Sequence, residues 1–265
     1  MRAEGNRASQ YQEVRPIASV LTISAAEQTE RSYYEHSRRL AVSFIFILPL
    51  LAAYEVGLLV VRPQTVSLAG SIVRWLLHGA FGPNGALVFN LVVMIAIVAA
   101  LISTHKTGGV RLKIFPLVLA ESLMYGFLIT QLLPLVNDYL LTLAAGERAG
   151  GLADDIVLSI GAGVYEEIVF RLGLMSAVYF IVLRLSHRNW LAVILAVFVS
   201  SIVFAASHYV NGTTGLSGGE LARSFRYRAI GGIVFAGLYI HRGLAVACYS
   251  HAFYDILVFT SRALG

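Results

Sequence analysis

The chain has 265 residues, of which 57% are hydrophobic and only 13% are charged. Because a typical soluble domain carries about 25% charged residues, this composition excludes an ordinary soluble protein and predicts a membrane protein. The formal net charge of +5 does not indicate a nucleic-acid-binding protein, since the basic residues are scattered around predicted helix ends and form no basic stripe.

The first forty residues are polar and lack the charged start, short apolar core and small-residue cleavage site of a signal peptide. We therefore expect residues 1–40 to be retained as a polar extension on the cytoplasmic side. Residues 41–265 are expected to form one helical membrane domain, because no internal repeat or second domain boundary is visible.

Apolar segments of about the length that crosses a bilayer, roughly 20 residues, occur throughout the rest of the chain. We predict membrane helices at residues 41–61, 86–102, 114–136, 156–183, 190–208, 229–240 and 244–259. Residues 66–81 are interrupted by polar residues, which indicates an interfacial or re-entrant segment. The predicted fold class is an all-α, polytopic membrane protein with seven or eight transmembrane helices around a polar cavity.

The structure of two segments is less certain from the sequence. Residues 156–183 are either one long helix or two helices broken near Gly173, and the glycine-rich residues 212–219 are predicted to form a loop.

Basic residues precede the first predicted helix and recur at 105–113, two crossings later, so both regions are assigned to the cytoplasm. The arginines at 223–228 fall on the side opposite the cytoplasm, so the rule that basic residues lie on the cytoplasmic side is obeyed only in part.

Small residues indicate where helices approach closely. Gly231, Gly232, Ala236 and Gly237 predict close helix packing, with self-association as the alternative. The single cysteine, Cys248, excludes an intrachain disulfide and a cysteine-cluster metal site, and its apolar surroundings predict a buried thiol.

Three charged residues, Glu166, Glu167 and Arg171, lie inside the apolar segment 156–183. Charged groups at the centre of a membrane helix are rare and normally face a protein interior or a wet cavity. At about 100° per residue, Arg171 shares a helix face with Glu167 but not with Glu166. The spacing therefore predicts a Glu167–Arg171 ion pair and leaves Glu166 as a candidate general acid or base. The alternative is a purely structural network of all three charges.

Two histidines and an aspartate lie in later apolar segments. His208 follows the apolar run 202–207, and His251 and Asp255 are four residues apart, on one helix face. Each histidine alone is typical of a hydrogen bond between helices, and Asp255 could fix the tautomer of His251. Together with Glu166, these side chains are sufficient to activate a water molecule and stabilise an oxyanion.

The three groups form ordered motifs. Glu166 to Arg171 matches EExxxR, Phe204 to His208 matches FxxxH, and His251 to Asp255 matches HxxxN/D. In this order they resemble the CPBP family of intramembrane proteases, which includes the type II CAAX prenyl endopeptidases and the bacteriocin-processing and immunity-related Abi proteins. The resemblance covers about residues 156–259.

The resemblance implies an intramembrane endopeptidase in which Glu166 and His208 activate the attacking water and His251 and Asp255 bind the oxyanion. Asp255 can donate a hydrogen bond only when protonated, so its alternative role is to orient His251. The implied substrate is a membrane-associated protein or peptide, with a prenylated CAAX protein as one candidate.

The same resemblance gives Glu167 and Arg171 a supporting role. No cofactor is expected, although Glu166, His208 and His251 could in principle form a three-ligand zinc site with an open position for water. The HExxH spacing that would make zinc compelling is absent from the sequence. We therefore favour a metal-independent glutamate and histidine mechanism.

Two other classes of function fit parts of the sequence. A proton-coupled transporter would use intramembrane carboxylates and histidines as a relay, to which Glu55 and Glu121 could belong. A non-catalytic immunity or binding protein would keep the fold without turnover. No two halves related by a repeat are evident in the sequence, which counts against a transporter. Only mutants of the motif residues could exclude a non-catalytic protein.

Overall fold

The computed structural model describes residues 32–61, 82, 85–106, 109–136, 151–209 and 217–264, and these residues contain helices and no β-strand. The helices are α1 (Leu40–Phe46), α2 (Leu48–Val61), α3 (Gly85–Lys106), α4 (Phe115–Val136), α5 (Leu152–Glu166), α6 (Ser176–Ser186), α7 (Asn189–Ser207), α8 (Gly218–Arg242) and α9 (Leu244–Leu264). A 3₁₀-helix, Leu112–Ile114, precedes α4, and a π-helix, Glu167–Met175, joins α5 to α6. The all-α fold class is confirmed.

Several of these helices are suited to a bilayer. Among the described residues, five stretches are long and apolar enough to cross a membrane: Leu40–Val61, Leu112–Leu135, Leu152–Ser186, Asn189–Ser207 and Leu244–Ser261. A shorter apolar helix covers Leu91–His105. The protein is therefore an integral, polytopic membrane protein. Residues 1–31 and 62–81 lie outside the described residues, so the domain boundary at residue 40 and the total of seven or eight crossings stay predictions.

The long segment around the glutamates is one continuous helix. The stretch Leu152–Ser186 is helical throughout, and Gly173 does not break it. Its central part, Glu167–Met175, has π-helical geometry. Because π-helical turns are rare and often occur at functional sites, the position of this turn draws attention to the charged residues that it contains.

Helix α8 begins earlier than the sequence pattern indicated. We predicted a loop up to residue 219 and a helix from 229, but α8 begins at Gly218. The reason is a capping box: the Glu220 carboxylate accepts the Ser217 N–H at 2.8 Å, and the Ser217 hydroxyl accepts the Glu220 N–H at 3.4 Å. The loop prediction is therefore wrong for the last two glycines of that segment.

Helix α9 lies at the centre of the molecule and packs mainly against α4 and α5. Leu244, Val246 and Cys248 on α9 are almost completely buried. The predicted burial of the Cys248 thiol is thus confirmed. Two glycines allow the close approach of the neighbouring helices, Gly126 on α4 and Gly163 on α5.

Gly163 provides a test of this packing. A Cβ atom at this position would lie 2.6 Å from the backbone nitrogen of Ala252 and 2.8 Å from the carbonyl oxygen of Cys248. Because backbone atoms of α9 cannot move aside easily, we expect Gly163→Ala to lower the free energy of unfolding by about 1–3 kcal/mol. The thermal midpoint in detergent measures the loss. Gly219→Ala is the matched control, since nothing lies within 4 Å of its Cβ position; equal midpoints for the two variants would contradict the packing.

The small-residue pattern of α8 divides into two parts. A Cβ on Gly232 would lie 3.0 Å from the Cα of Ser201 on α7, and Ala236 is fully buried. Gly237 has nothing within 4 Å of its Cβ position. Close helix packing is therefore present at Gly232 and Ala236, whereas Gly237 faces open space.

A buried ion pair connects the start of the described chain to α4 and α8. Arg242 forms an ion pair with Glu121, in which Nη2 and Oε2 are 2.5 Å apart, and the Tyr33 hydroxyl donates to the same carboxylate at 2.5 Å. The Arg242 guanidinium also lies 4.1 Å from the centroid of the Tyr34 ring. Glu121 thus has a structural role that the sequence did not reveal. The other relay candidate, Glu55, accepts a hydrogen bond from Tyr165.

His36 makes a second connection in this region, and it is sensitive to pH. Its Nε2 accepts a hydrogen bond from the Arg111 backbone N–H at 3.1 Å. Burial lowers the pKa of His36 below its ordinary value of 6.5, and the nearby Arg39 and Arg111 lower it further. Because the pKa is lower in the folded state, this contact contributes stability above pH 6.5 and loses it as the pH falls toward the lowered pKa.

We therefore expect the Arg111 amide to exchange with solvent faster, relative to its intrinsic rate, as the pH is lowered below 6.5. Hydrogen exchange with residue resolution measures this change. The Gly109 amide is the internal control, because it donates to the backbone carbonyl of Thr104 at 2.7 Å and has no titrating acceptor. An Arg111 amide that follows the Gly109 amide at every pH would contradict the prediction.

Candidate active site

The predicted site residues come from three parts of the fold. Glu166 ends α5, and Glu167 and Arg171 lie in the π-helix. His208 directly follows α7, and His251 lies in α9 one turn before Asp255. Helix α9 packs against both α5 and the π-helix, and this packing brings the carboxylates of Glu166 and Glu167 to the ring of His251.

Glu167 is the direct partner of His251. Its Oε1 accepts a hydrogen bond from His251 Nδ1 at 2.8 Å and also lies 3.1 Å from Nη1 of Arg171. Both Glu167 and Arg171 are almost completely buried, and Arg171 Nη2 donates to the Gly232 carbonyl at 3.3 Å. The Glu167–Arg171 ion pair predicted from the four-residue spacing is therefore present. In addition, Glu167 occupies the orienting position that the sequence suggested for Asp255.

The second ring nitrogen of His251 faces the other two carboxylates. Its Nε2 lies 3.6 Å from Oε2 of Glu166 and 3.7 Å from Oδ2 of Asp255. Both distances exceed a direct hydrogen bond, so Nε2 points between two carboxylates without being bonded to either. Glu166 is 4% exposed. The site therefore combines a fixed imidazole with a buried carboxylate that is not neutralised by a hydrogen-bonded cation.

Aromatic rings pack against His251 and Arg171. Phe235 stacks on the His251 ring with centroids 4.3 Å apart and planes at 15°. Phe204 meets the same ring edge-on at 6.3 Å, and the Arg171 guanidinium lies 4.5 Å from the Phe204 centroid. Phe235 could not be predicted as a site residue, because it belongs to none of the three motifs and no local pattern distinguishes it from other core aromatics.

His208 adopts a defined tautomer at the end of α7. Its Nδ1 lies 2.9 Å from the carbonyl oxygen of Phe204. Since a carbonyl oxygen can only accept a hydrogen bond, the hydrogen of the neutral His208 ring is assigned to Nδ1, and Nε2 carries the lone pair. Within the part of the chain that the structure describes, His208 shares no hydrogen bond or ion pair with Glu166 or His251. The structure thus brings five of the six predicted residues into one group and leaves His208 beside it, across Phe204.

The predicted zinc ligands do not form a metal site in this arrangement. Among the described residues, no group of three or more histidine, cysteine, aspartate or glutamate side chains is positioned to hold a metal ion. His208 shares no hydrogen bond or ion pair with Glu166 or His251 within the described residues, whereas Nε2 of His251 faces Glu166 at 3.6 Å. Glu166, His208 and His251 are therefore not grouped as three ligands of one ion in the described residues.

The comparison with known families agrees with this grouping. Residues 149–257 match the family described as type II CAAX prenyl endopeptidase Rce1-like. The chain carries an Rce1-like domain. This domain begins just before α5 and ends within α9, and it contains all six predicted site residues, which are Glu166, Glu167, Arg171, His208, His251 and Asp255.

The match confirms the resemblance to the CPBP intramembrane proteases. Helices α1 to α4 lie outside the Rce1-like match, although α4 packs against α9. No curated protein and no solved structure matches the chain. The Rce1-like match therefore supports an intramembrane protease as the class of protein.

Proposed function

We propose that the protein is an intramembrane endopeptidase that hydrolyses a peptide bond in a membrane-associated protein or peptide, with a prenylated CAAX protein as the first candidate substrate. The observation that carries this proposal is the arrangement around His251. One nitrogen of its ring is held by Glu167, and the other faces the buried carboxylate of Glu166 at 3.6 Å. A fixed imidazole beside a buried carboxylate is suited to acid and base catalysis.

Glu166 and His208 are the proposed bases. Glu166 accepts a proton from the attacking water, and Nε2 of His208 has a lone pair directed away from the Phe204 carbonyl that can hold the same water or its proton. The water oxygen forms a bond to the carbonyl carbon of the substrate, and the proton then passes to the leaving nitrogen as the peptide bond breaks. Substrate binding must bring the side chains of His208 and Glu166 within hydrogen-bond distance of the same water molecule.

His251 is the proposed oxyanion donor. Because its Nδ1–H donates to Glu167, it can donate from Nε2 only when both ring nitrogens carry a proton. Asp255 lies 3.7 Å from the same nitrogen and joins His251 in this role only in its protonated form. The Glu167–Arg171 pair supports the site by keeping the imidazole in one orientation.

The decisive experiment is turnover of a quenched fluorescent peptide library, including prenylated CAAX peptides, by the detergent-purified protein with and without a chelator. We expect cleavage that persists with the chelator and is lost in His208→Ala. Loss with the chelator and rescue by zinc would replace the glutamate and histidine mechanism with a metal mechanism. If no peptide is cleaved and the cellular phenotype is unchanged in His208→Ala, a transporter or a non-catalytic binding protein becomes the better account.

We also propose that the N terminus lies in the cytoplasm. Arg111 donates to the Ser32 hydroxyl at 2.6 Å, so the region before α4 and the start of the described chain lie at the same end of the molecule. Both regions are rich in basic residues, which favours the cytoplasmic side.

The orientation is tested with Ser32→Cys, because the single native cysteine, Cys248, is buried. We expect a membrane-impermeant maleimide to label Ser32→Cys only after the cells are permeabilised. Labelling of intact cells would show that the N terminus lies outside the cytoplasm and would contradict the proposed orientation. The unmodified protein is the control for background labelling.

A further inference from the structure

An apolar groove lies between α4 and α8, on a different part of the molecule from the charged site. It has a volume of about 500 Å³. At 1.5 Å per helical residue, the part of α8 that lines it, residues 230–241, is roughly 16 Å long. The walls are almost entirely aliphatic and include Leu128, Leu132, Leu133, Ile230, Val234 and Leu238. Such a groove accommodates an extended hydrocarbon chain better than a polar ligand.

One end of this groove is cationic. His241 and Arg242 line it there, and His241 is exposed. The exposed Arg38 lies at the same end, because its Nη2 donates to the Ile240 carbonyl at 2.9 Å. Arg242 is 4% exposed, and its Nη1 has no hydrogen-bond partner among the described residues. A hydrogen-bond donor without a partner in the described part of the chain, Nη1 of Arg242, therefore lies at the end of the groove where the aliphatic walls stop.

The cationic end also lies beside the start of a candidate membrane span. Helix α8 ends at Arg242, and Arg38 lies two residues before the candidate span Leu40–Val61. A ligand in the groove would thus have its apolar part at the depth of the acyl chains and its polar part at the level of the lipid headgroups. This division of apolar and cationic surface is complementary to an anionic lipid.

We propose that the groove between α4 and α8 binds one anionic glycerophospholipid, with an acyl chain along the aliphatic walls and the phosphate beside Arg38 and His241. The bound lipid connects α4 to α8. Ile129 and Leu133 on α4 and Ile230 on α8 belong to the same packed cluster as Phe235, and Phe235 stacks on His251. The lipid thereby supports the packing behind the imidazole without touching the reacting atoms.

Gly237 makes the acyl-chain part of the proposal testable. It lines the groove, and nothing lies within 4 Å of its Cβ position, so a leucine side chain at 237 begins in open space and projects into the groove. Gly219→Leu is the matched control, because Gly219 lies in the same helix, has equally open surroundings and does not line the groove.

The measurement is native mass spectrometry of the detergent-purified chain with equal amounts of phosphatidylglycerol and phosphatidylcholine. We expect one phosphatidylglycerol to remain bound to the wild type and to Gly219→Leu, and about a tenfold loss of this complex in Gly237→Leu. Equal binding by Gly237→Leu and the wild type would overturn the site. Because the readout is lipid binding, the result is independent of whether the protein cleaves peptides.

A second variant tests the headgroup. A cation near an anionic lipid headgroup contributes enough to change affinity by about fivefold. Arg38 supplies this charge and His241 supplies a ring N–H donor, so Arg38→Gln/His241→Gln is expected to lose the preference for phosphatidylglycerol and to bind both lipids equally. Arg242 is left unchanged, because it holds Glu121. A preference that survives in the double variant, or wild-type protein that binds both lipids equally, would overturn the assignment of an anionic lipid.

Discussion

Glu166→Gln is expected to lower kcat/KM for peptide cleavage by about 10²–10⁴-fold, the range that a general base contributes. The amide has nearly the same shape as the carboxylate but cannot accept the proton of the attacking water. Because the Glu166 carboxylate makes no direct hydrogen bond to His251, its replacement should leave the fold and the thermal midpoint almost unchanged. Steady-state kinetics on the best library peptide and a thermal scan of the same preparation measure both quantities.

Glu55→Gln is the matched control for this prediction. Glu55 is an exposed carboxylate that accepts a hydrogen bond from Tyr165, the residue before Glu166 in the chain. Its change to glutamine removes a negative charge that is one hydrogen bond from Tyr165 but does not belong to the group around His251. We expect kcat/KM within about threefold of the wild type, since a surface substitution is normally close to neutral. Similar losses in both variants would mean that Glu166 acts through the local field and not as a base.

Arg171→Met is expected to have the largest effect on stability. It leaves the carboxylate of Glu167 buried without its cation, a change that costs about 3–5 kcal/mol when one member of a buried pair is removed. The ion pair is almost completely enclosed, with side-chain exposures of 1% and 0%. We expect a large fall in the thermal midpoint in detergent and, in consequence, a low yield of folded protein.

The double variant Glu167→Gln/Arg171→Met tests whether the loss of stability in Arg171→Met comes from the unpaired charge of Glu167 or from lost packing. It removes both buried charges, and the amide oxygen of glutamine can still accept the hydrogen bond from His251 Nδ1. We expect it to recover most of the lost stability, since replacing both members of a buried pair is often nearly neutral. If Arg171→Met is as stable as the wild type, the ion pair does not hold the site together; if the double variant is as unstable as Arg171→Met, the loss comes from packing against Phe204.

Several parts of the structure could be predicted from local sequence. Long apolar segments and few charges are sufficient to predict membrane helices, because no other element satisfies its backbone in a bilayer without closing a barrel. The Glu167–Arg171 pair follows from the helical repeat, since residues four apart share a face. The π-helical geometry did not remove this contact.

Other features depend on packing between distant segments, and local spacing carries no information about them. Glu167 and His251 are 84 residues apart in the chain, so their hydrogen bond exists only because α9 lies against the π-helix. The same holds for Phe235, which reaches His251 from α8. The spacing of His251 and Asp255 correctly placed them on one face, but it could not show that a third carboxylate lies closer to the ring.

The central claim is that Glu166 and His208 act on the same water molecule. The most direct test is a double-mutant cycle with Glu166→Gln, His208→Gln and the combined variant, in which kcat/KM is measured on one peptide with a thermal scan to confirm folding. Residues that act as a unit are strongly non-additive, so we predict that the combined variant loses no more activity than the more damaging single variant. A loss equal to the product of the two single losses would show that the two side chains act independently and would contradict the proposed mechanism.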